Sequence, residues 1–205
     1  MDLCWACMPL DCLPTIGCHA CELLSKGTKT QAGRGDLLAV DIGGATTDVY
    51  SMASGEPTVD NTMMKGLPEP WMKRTVEGDL GMRYSLTHVY EQIPGASQPE
   101  NEYMQQVKAW VDLCTAHPDT LAAPGSVEEG LEEFLGRSAV SMAVERHCGR
   151  IADVFTPLGL MHTLEGKDLT SFVASASIAS FASSTQSEIP LSVASPPFPS
   201  FPLIS

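Results

Sequence analysis

The chain has 205 residues, 43% of them hydrophobic, and carries 12 Lys and Arg against 25 Asp and Glu, a formal net charge of −13. This balance excludes nucleic-acid binding through a basic face and adhesion to an anionic membrane, because both need clustered Lys and Arg. No apolar run approaches the roughly 20 residues of a membrane-spanning helix, and the chain starts without the pattern of a secretory signal. We therefore expect a cytoplasmic protein with one substantial domain.

Five of the seven cysteines lie within the first 21 residues. Four of them form two C-x-x-C pairs, Cys4 with Cys7 and Cys18 with Cys21. The spacing resembles that of a zinc knuckle, in which thiolates from two tight turns share one ion. Large apolar residues crowd these turns and argue against a knuckle. Residues 1–21 are therefore predicted to be an irregular Cys-rich segment, and a zinc site stays open as the alternative.

A turn with two adjacent glycines follows the first predicted strand, within the string DIGGATTDV. Gly43 and Gly44 let main-chain N–H groups approach an anion, since no Cβ blocks the way and positive φ is allowed. Thr46 and Thr47 add hydroxyl donors, and Asp41 is placed to hold Mg²⁺ through its water shell. The turn is thus a candidate phosphate site, although a glycine turn by itself is more often only a turn.

The rest of the pattern predicts an α/β domain. Residues 37–42 and 49–52 are apolar runs bounded by turn signals, which predicts a hairpin within a short mixed sheet. Helices are expected at residues 79–91, opened by Asp79 as N-cap, at 100–116, and at 126–148, where Ser126 and Glu129 form a capping-box pattern. Residues 152–170 have the composition of strands and turns.

Residues 171–205 differ in character from everything before them. They contain 11 serines, five prolines and a single charged residue, Glu188. Such a segment buries too little apolar area to offset the entropy of ordering, which predicts a disordered tail. The ordered domain is therefore expected over residues 22–170.

Several blocks carry a family resemblance. VDIGGATTDV resembles the second phosphate motif of the superfamily of ATPases that includes actin, sugar kinases and heat-shock chaperones. The blocks GDLLAVDIGGATTDVYSMASGEP, KGLPEPWMKRTVEGDLGMRYS, AVERHCGR and TPLGLMHTLEGKDLT occur in that order. Together they resemble the MutL-type accessory proteins of glutamate mutase, a family unrelated to the mismatch-repair proteins of similar name. The resemblance covers residues 22–170.

The resemblance implies a partial actin-like (ribonuclease H-like) ATPase fold, with ATP and Mg²⁺ in a cleft between two lobes. It also implies an ATP-dependent chaperone that reactivates an adenosylcobalamin-dependent mutase by releasing damaged cobalamin, with the mutase subunits as partners. Carried over to this chain, Asp41 is the catalytic carboxylate that organises Mg²⁺. Gly43, Gly44, Thr46 and Thr47 contact the β- and γ-phosphates.

Two parts of the superfamily's nucleotide site are missing from the sequence. No acidic phosphate motif precedes Asp41, and no Gly-rich adenosine motif follows EGKDLT. A site shared between two lobes loses most of its contacts without them, so we expect weak or absent ATP binding by this chain alone. Two alternatives stay open: a non-catalytic binding module with an N-terminal zinc knuckle, and an inactive truncated fragment.

Overall fold

The structure is a computed structural model that describes residues 13–96, 101–157 and 159–175. Within these ranges the elements are, in order, α1 (Leu13–Lys26), β1 (Leu37–Ile42), β2 (Thr47–Met52), β3 (Thr62–Lys65), β4 (Met72–Glu77), α2 (Leu86–Gln92), α3 (Glu102–Ala116), α4 (Val127–His147), β5 (Arg150–Thr156), β6 (Gly159–Glu165) and α5 (Thr170–Ser175). The predicted α/β class is confirmed. None of the helices in these ranges is long and apolar enough to cross a membrane.

The strands form two three-stranded sheets. The first is antiparallel with the order β1-β2-β4, and the second has the order β3-β6-β5, in which β3 and β6 run parallel. The predicted hairpin is confirmed, but its sheet is antiparallel rather than mixed. Strands β5 and β6 confirm the strand composition of residues 152–170. The sequence did not predict β3 and β4, since prolines at positions 68 and 70 separate short polar runs there.

The first sheet is covered on both faces, because apolar side chains alternate between its two sides. Leu38 of β1 and Val49 of β2 pack into the main core, which the sheet shares with α2, α3 and α4. Leu37, Tyr50 and Met52 face the opposite side and pack against α1. The sheet is therefore the middle layer of three.

Side-chain caps set the starts of α3 and α4, and the cap of α4 is the predicted one. Asn101 Oδ1 accepts hydrogen bonds from the N–H groups of Tyr103 and Met104, at 3.1 and 3.2 Å. Ser126 Oγ accepts one from the N–H of Glu129 at 3.3 Å. The predicted helices at 100–116 and 126–148 are confirmed. Their buried stripes form much of the core: Met104, Val107, Trp110, Val111 and Cys114 on α3, and Leu131, Leu135, Ala139 and Ala143 on α4.

Helix α1 corrects the prediction that residues 1–21 are irregular, since residues 13–21 are helical. Small side chains form its contact face, among them Cys18 and Cys21, which pack against Tyr50 and Met52. Gly17 allows the close approach, because a Cβ there would lie 2.5 Å from the Tyr50 hydroxyl oxygen. A stripe of small residues is not the large apolar pattern by which helices are recognised. Residues 1–12 lie outside the described residues.

Helix α2 is shorter than the helix predicted at residues 79–91, which was wrong in its first half. The N–H groups of Met82, Arg83 and Tyr84 donate hydrogen bonds to carbonyl oxygens of the glycine turn, so they are not available to a helix. The carboxylate of the expected N-cap, Asp79, binds an arginine of α4 instead. Tertiary contacts thus replace the local pattern.

Helix α5 corrects the prediction of disorder for residues 171–175. Asp168 fixes the start of this helix, because Oδ1 accepts hydrogen bonds from the N–H and hydroxyl of Thr170, at 3.1 and 2.6 Å. Its other oxygen accepts hydrogen bonds from the N–H and hydroxyl of Thr58, at 2.8 and 2.6 Å. The remainder of the tail predicted to be disordered, residues 176–205, lies outside the described residues.

Candidate functional site

The glycine turn, residues 43–46, joins β1 to β2 and packs against residues 78–85, which we call the docking segment. The N–H of Met82 donates a hydrogen bond to the carbonyl of Gly43 at 2.9 Å. The N–H groups of Arg83 and Tyr84 both donate to the carbonyl of Gly44, at 2.8 and 2.9 Å. The docking segment therefore holds the turn through hydrogen bonds to the turn's carbonyl oxygens.

Further contacts complete this packing. Ser85 Oγ donates a hydrogen bond to the carbonyl of Ala45 at 3.0 Å. The N–H of Gly43 closes the turn on the carbonyl of Thr46 at 2.8 Å. Gly81 is needed for the close approach, because a Cβ at this position would overlap the backbone of Ala45. All four carbonyl oxygens of the turn are thus bonded within the protein.

The amide groups of the turn point the other way. In a planar trans peptide the C=O of one residue and the N–H of the next are antiparallel. Because the carbonyls of Gly43, Gly44 and Ala45 are bonded to the docking segment, the N–H groups of Gly44, Ala45 and Thr46 are directed away from it. Within the described residues these three N–H groups have no hydrogen-bond partner. Three successive free amides on one side of a turn are a suitable site for an anion.

A carboxylate lies beside these amides. Asp41 is exposed on β1 and is directly opposite Asp48 on β2. Two like charges facing each other across strands are unfavourable. Arg74 on β4 offsets the second of them, with Nη2 2.6 Å from Asp48 Oδ1, although the pair is too poorly aligned to count as a hydrogen bond. Asp41 has no ion pair among the described residues and keeps its charge available for a cation.

The two threonines of the turn lie in different environments. Thr46 is partly exposed next to the free amides. Thr47 is fully buried, and its hydroxyl donates a hydrogen bond to the carbonyl of Leu80 at 2.5 Å. Thr47 therefore fastens the turn to the docking segment and does not face solvent in this structure. Its role as a phosphate contact stays a prediction.

The cysteines do not form a knuckle turn where the structure describes them. Cys18 and Cys21 lie on one face of α1, and burial raises the pKa of both thiols. No group of three His, Cys, Asp or Glu side chains in the described ranges has the geometry of a metal site. Cys4 and Cys7 lie outside these ranges, so the zinc site stays a prediction.

A buried polar network behind the first sheet was not predicted from the sequence. Lys167 is 1% exposed, and its Nζ donates hydrogen bonds to the carbonyls of Ala53 and Trp71, at 2.8 and 2.7 Å. A third contact, at 3.4 Å, reaches Ser51 Oγ on β2. Burial lowers the pKa of Lys167. The ammonium group thus ties the segment after β6 to the ends of β2 and β4.

His147, the last residue of α4, belongs to the same network. Its Nε2 lies 2.9 Å from Ser51 Oγ, and its Nδ1 lies 2.8 Å from Thr75 Oγ1. Burial, with the nearby charges of Lys73 and Lys167, lowers the pKa of His147 to about 4. The ring is therefore neutral at physiological pH. The signal for this network was present in two blocks that carried the resemblance, AVERHCGR and TPLGLMHTLEGKDLT, but their residues had no assigned role.

Comparison with known proteins identifies relatives of the whole described region. The family described as MutL protein matches residues 6–179. Protein MutL of Clostridium tetanomorphum is 40% identical over 159 residues, which cover 76% of this chain and 34% of that protein. The chain therefore spans about a third of the length of the curated relative that it matches. No solved structure matches the chain significantly.

Proposed function

The chain belongs to the MutL protein family, and from this premise we propose that it supplies the phosphate-binding turn of an ATP-dependent accessory chaperone. The proposed partner is an adenosylcobalamin-dependent mutase of the glutamate mutase type. In this proposal, ATP binding and hydrolysis by the chaperone drive the release of damaged cobalamin from the mutase. The family membership supports the partner class. The hairpin with its glycine turn supports an actin-like ATPase fold, of which this chain has a part.

The observation that carries the nucleotide proposal is the direction of the turn amides. The N–H groups of Gly44, Ala45 and Thr46 are free and lie on one side, while the carbonyls are bonded on the other. A phosphate needs several N–H donors on the same side of the backbone. Asp41, exposed beside the turn, would hold Mg²⁺ through water. When bound, Mg²⁺ neutralises phosphate charge.

We expect magnesium triphosphate, added as inorganic tripolyphosphate or as ATP, to shift the amide NMR signals of Gly44, Ala45 and Thr46 first. The affinity should be weak, on the order of 1 mM, because one turn supplies only part of a nucleotide site. In D41N the dependence of these shifts on Mg²⁺ should disappear, since the carboxylate that holds the ion is gone. Titrations of ¹⁵N-labelled full chain with and without Mg²⁺ measure both effects.

Asp119→Asn is the matched control, because Asp119 is also exposed and its side chain has no ion pair in the described ranges. This variant should titrate as the wild type does. Signals that shift elsewhere while the turn stays unmoved would contradict the nucleotide proposal. Sub-micromolar affinity would contradict the expectation that the site is incomplete.

Association with a mutase is tested separately. Purified chain should co-sediment with glutamate mutase subunits in analytical ultracentrifugation, and the complex should persist in D41N, because the carboxylate serves the nucleotide and not the partner. Mutase subunits that sediment at their own rate in the presence of excess chain would show that this part of the family's protein does not carry the contact.

A further inference from the structure

Helix α4 contacts the docking segment through a forked ion pair. Arg146 Nη1 donates hydrogen bonds to Glu77 Oε2 at 2.8 Å and to Asp79 Oδ1 at 2.7 Å. Its Nη2 donates to Asp79 Oδ2 at 2.9 Å and to Gln92 Oε1 at 2.5 Å. The guanidinium therefore forms a bidentate pair with the Asp79 carboxylate, which fixes the relative orientation of the two groups as well as their separation.

A second ion pair holds the other end of the segment. Arg83 Nη2 lies 2.5 Å from Glu132 Oε1 on α4, and both side chains are largely shielded, at 16% and 22% exposure. Between the two attachments, Gly81 packs directly on the backbone of Ala45. Helix α4 thus holds the docking segment at two points, Asp79 and Arg83.

The docking segment is held by these two ion pairs and by Leu80, which is fully buried in the main core and accepts the hydrogen bond of Thr47. It forms no strand or helix of its own, since it lies between β4 and α2. Its N–H groups at Met82, Arg83 and Tyr84 are bonded to the turn. Any displacement of the segment would therefore move the carbonyls of Gly43 and Gly44, and the free amides of the same peptide units with them.

His147 holds the end of α4 in place next to Arg146. His147 follows Arg146 directly and is fully buried behind the first sheet, where it contacts Ser51 and Thr75. The end of α4 is consequently anchored to β2, which leaves the turn, and to its neighbour β4. Arg146 holds the docking segment at a set distance from that anchor.

We propose that Arg146, through its forked contact with Asp79, is a positioning residue that sets the direction of the turn amides toward phosphate. The inference rests on the proposed function for its ligand. Arg146 itself touches no phosphate, because its guanidinium is occupied by Glu77, Asp79 and Gln92. The effect of Arg146 on the docking segment can be measured in the ligand-free protein.

The test compares Arg146→Gln with Arg137→Gln in the full chain. Arg137 also lies on α4 and also forms an ion pair, with Glu133, but that pair does not touch the docking segment. In ligand-free R146Q we expect amide hydrogen exchange at Met82, Arg83 and Tyr84 to accelerate about tenfold, since the segment that carries these N–H groups is no longer held against the turn carbonyls. R137Q should exchange at the wild-type rate. Arg146→Lys, which keeps the charge and loses the fork, should fall between them.

A second readout uses tripolyphosphate with Mg²⁺. The affinity reported by the Gly44, Ala45 and Thr46 signals should fall about tenfold in R146Q at a temperature where the variant is fully folded, and stay unchanged in R137Q. Gly81→Ala, which pushes the segment off the turn directly, should reproduce both effects of R146Q. Gly78→Ala is its control, because a Cβ there meets nothing within 4 Å.

The outcomes separate the inference from the proposed function. Faster exchange in R146Q together with no phosphate binding by the wild type supports the coupling of α4 to the turn and overturns the nucleotide proposal. Phosphate binding that is equal in R146Q and R137Q overturns the positioning role and leaves the nucleotide proposal intact. Exchange that rises evenly over the whole chain in R146Q also overturns it, because the arginine then contributes only global stability.

Discussion

Replacing Lys167 with methionine is expected to lower the free energy of unfolding by about 2–4 kcal/mol. Methionine fills a similar volume but cannot donate to the carbonyls of Ala53 and Trp71, which the ammonium group contacts at 2.8 and 2.7 Å. The Ala53 carbonyl is then buried without its donor, while Trp71 keeps a hydrogen bond from the N–H of Ala53. Urea denaturation followed by tryptophan fluorescence measures the loss.

Lys65→Met is the matched control for this prediction. Lys65 pairs with Glu165 at 3.0 Å, but the two side chains are 68% and 69% exposed. Exposed pairs contribute little, so we expect a change of less than about 1 kcal/mol. Equal stability of the two variants would mean that the cost of burying the Lys167 ammonium cancels its hydrogen bonds.

The second large effect is a loss of stability in mild acid caused by His147. Its pKa is about 4 in the folded protein and 6.5 in an unpaired, solvated histidine. Between these values the unfolded chain binds a proton that the folded chain does not. The neutral His147 ring therefore makes its full contribution to the free energy of unfolding above pH 6.5. This contribution, about 3 kcal/mol in total, is lost as the pH falls toward 4.

His147→Gln tests this sign. The variant should be less stable at pH 7 because the contacts with Ser51 and Thr75 change, yet its stability should depend less on pH between 6.5 and 5 than that of the wild type. The charged groups facing the ring are Lys73, Lys167 and Glu69, and all are kept in the variant. Parallel slopes for the wild type and H147Q would contradict the assignment.

The parts of the fold that were predictable are those with local causes. The glycine pair after an apolar run predicted the hairpin, the apolar spacing of residues 100–116 predicted α3, and the capping box at Ser126 predicted the start of α4. Each of these signals lies within a few residues of the element that it specifies. The free amides of the turn followed from the same local pattern, although Thr47 proved to be buried.

The parts that were not predictable depend on distant partners. The docking segment has a sequence that suits a helix, but it gives its N–H groups to a turn far upstream. Ser51, His147 and Lys167 meet only in the folded chain, separated by 96 and 116 positions. Polar residues in such a network look like surface residues in the sequence, because nothing nearby indicates burial. Helix α1 was missed for another reason, its small contact residues.

The separation of these partners has a consequence for biosynthesis. Thr58 and Asp168 are 110 positions apart, and β3 pairs with β6. Residues 58–65 therefore reach their native contacts only when residues 159–168 are present. Contacts of this range slow folding, since a long loop must be ordered before they form. A nascent chain that has emerged only as far as α4 can hold the first hairpin and its helices together. It still lacks the lysine and the aspartate that lock the ends of the strands, and until these leave the ribosome the domain remains unfinished and exposed to proteases and chaperones.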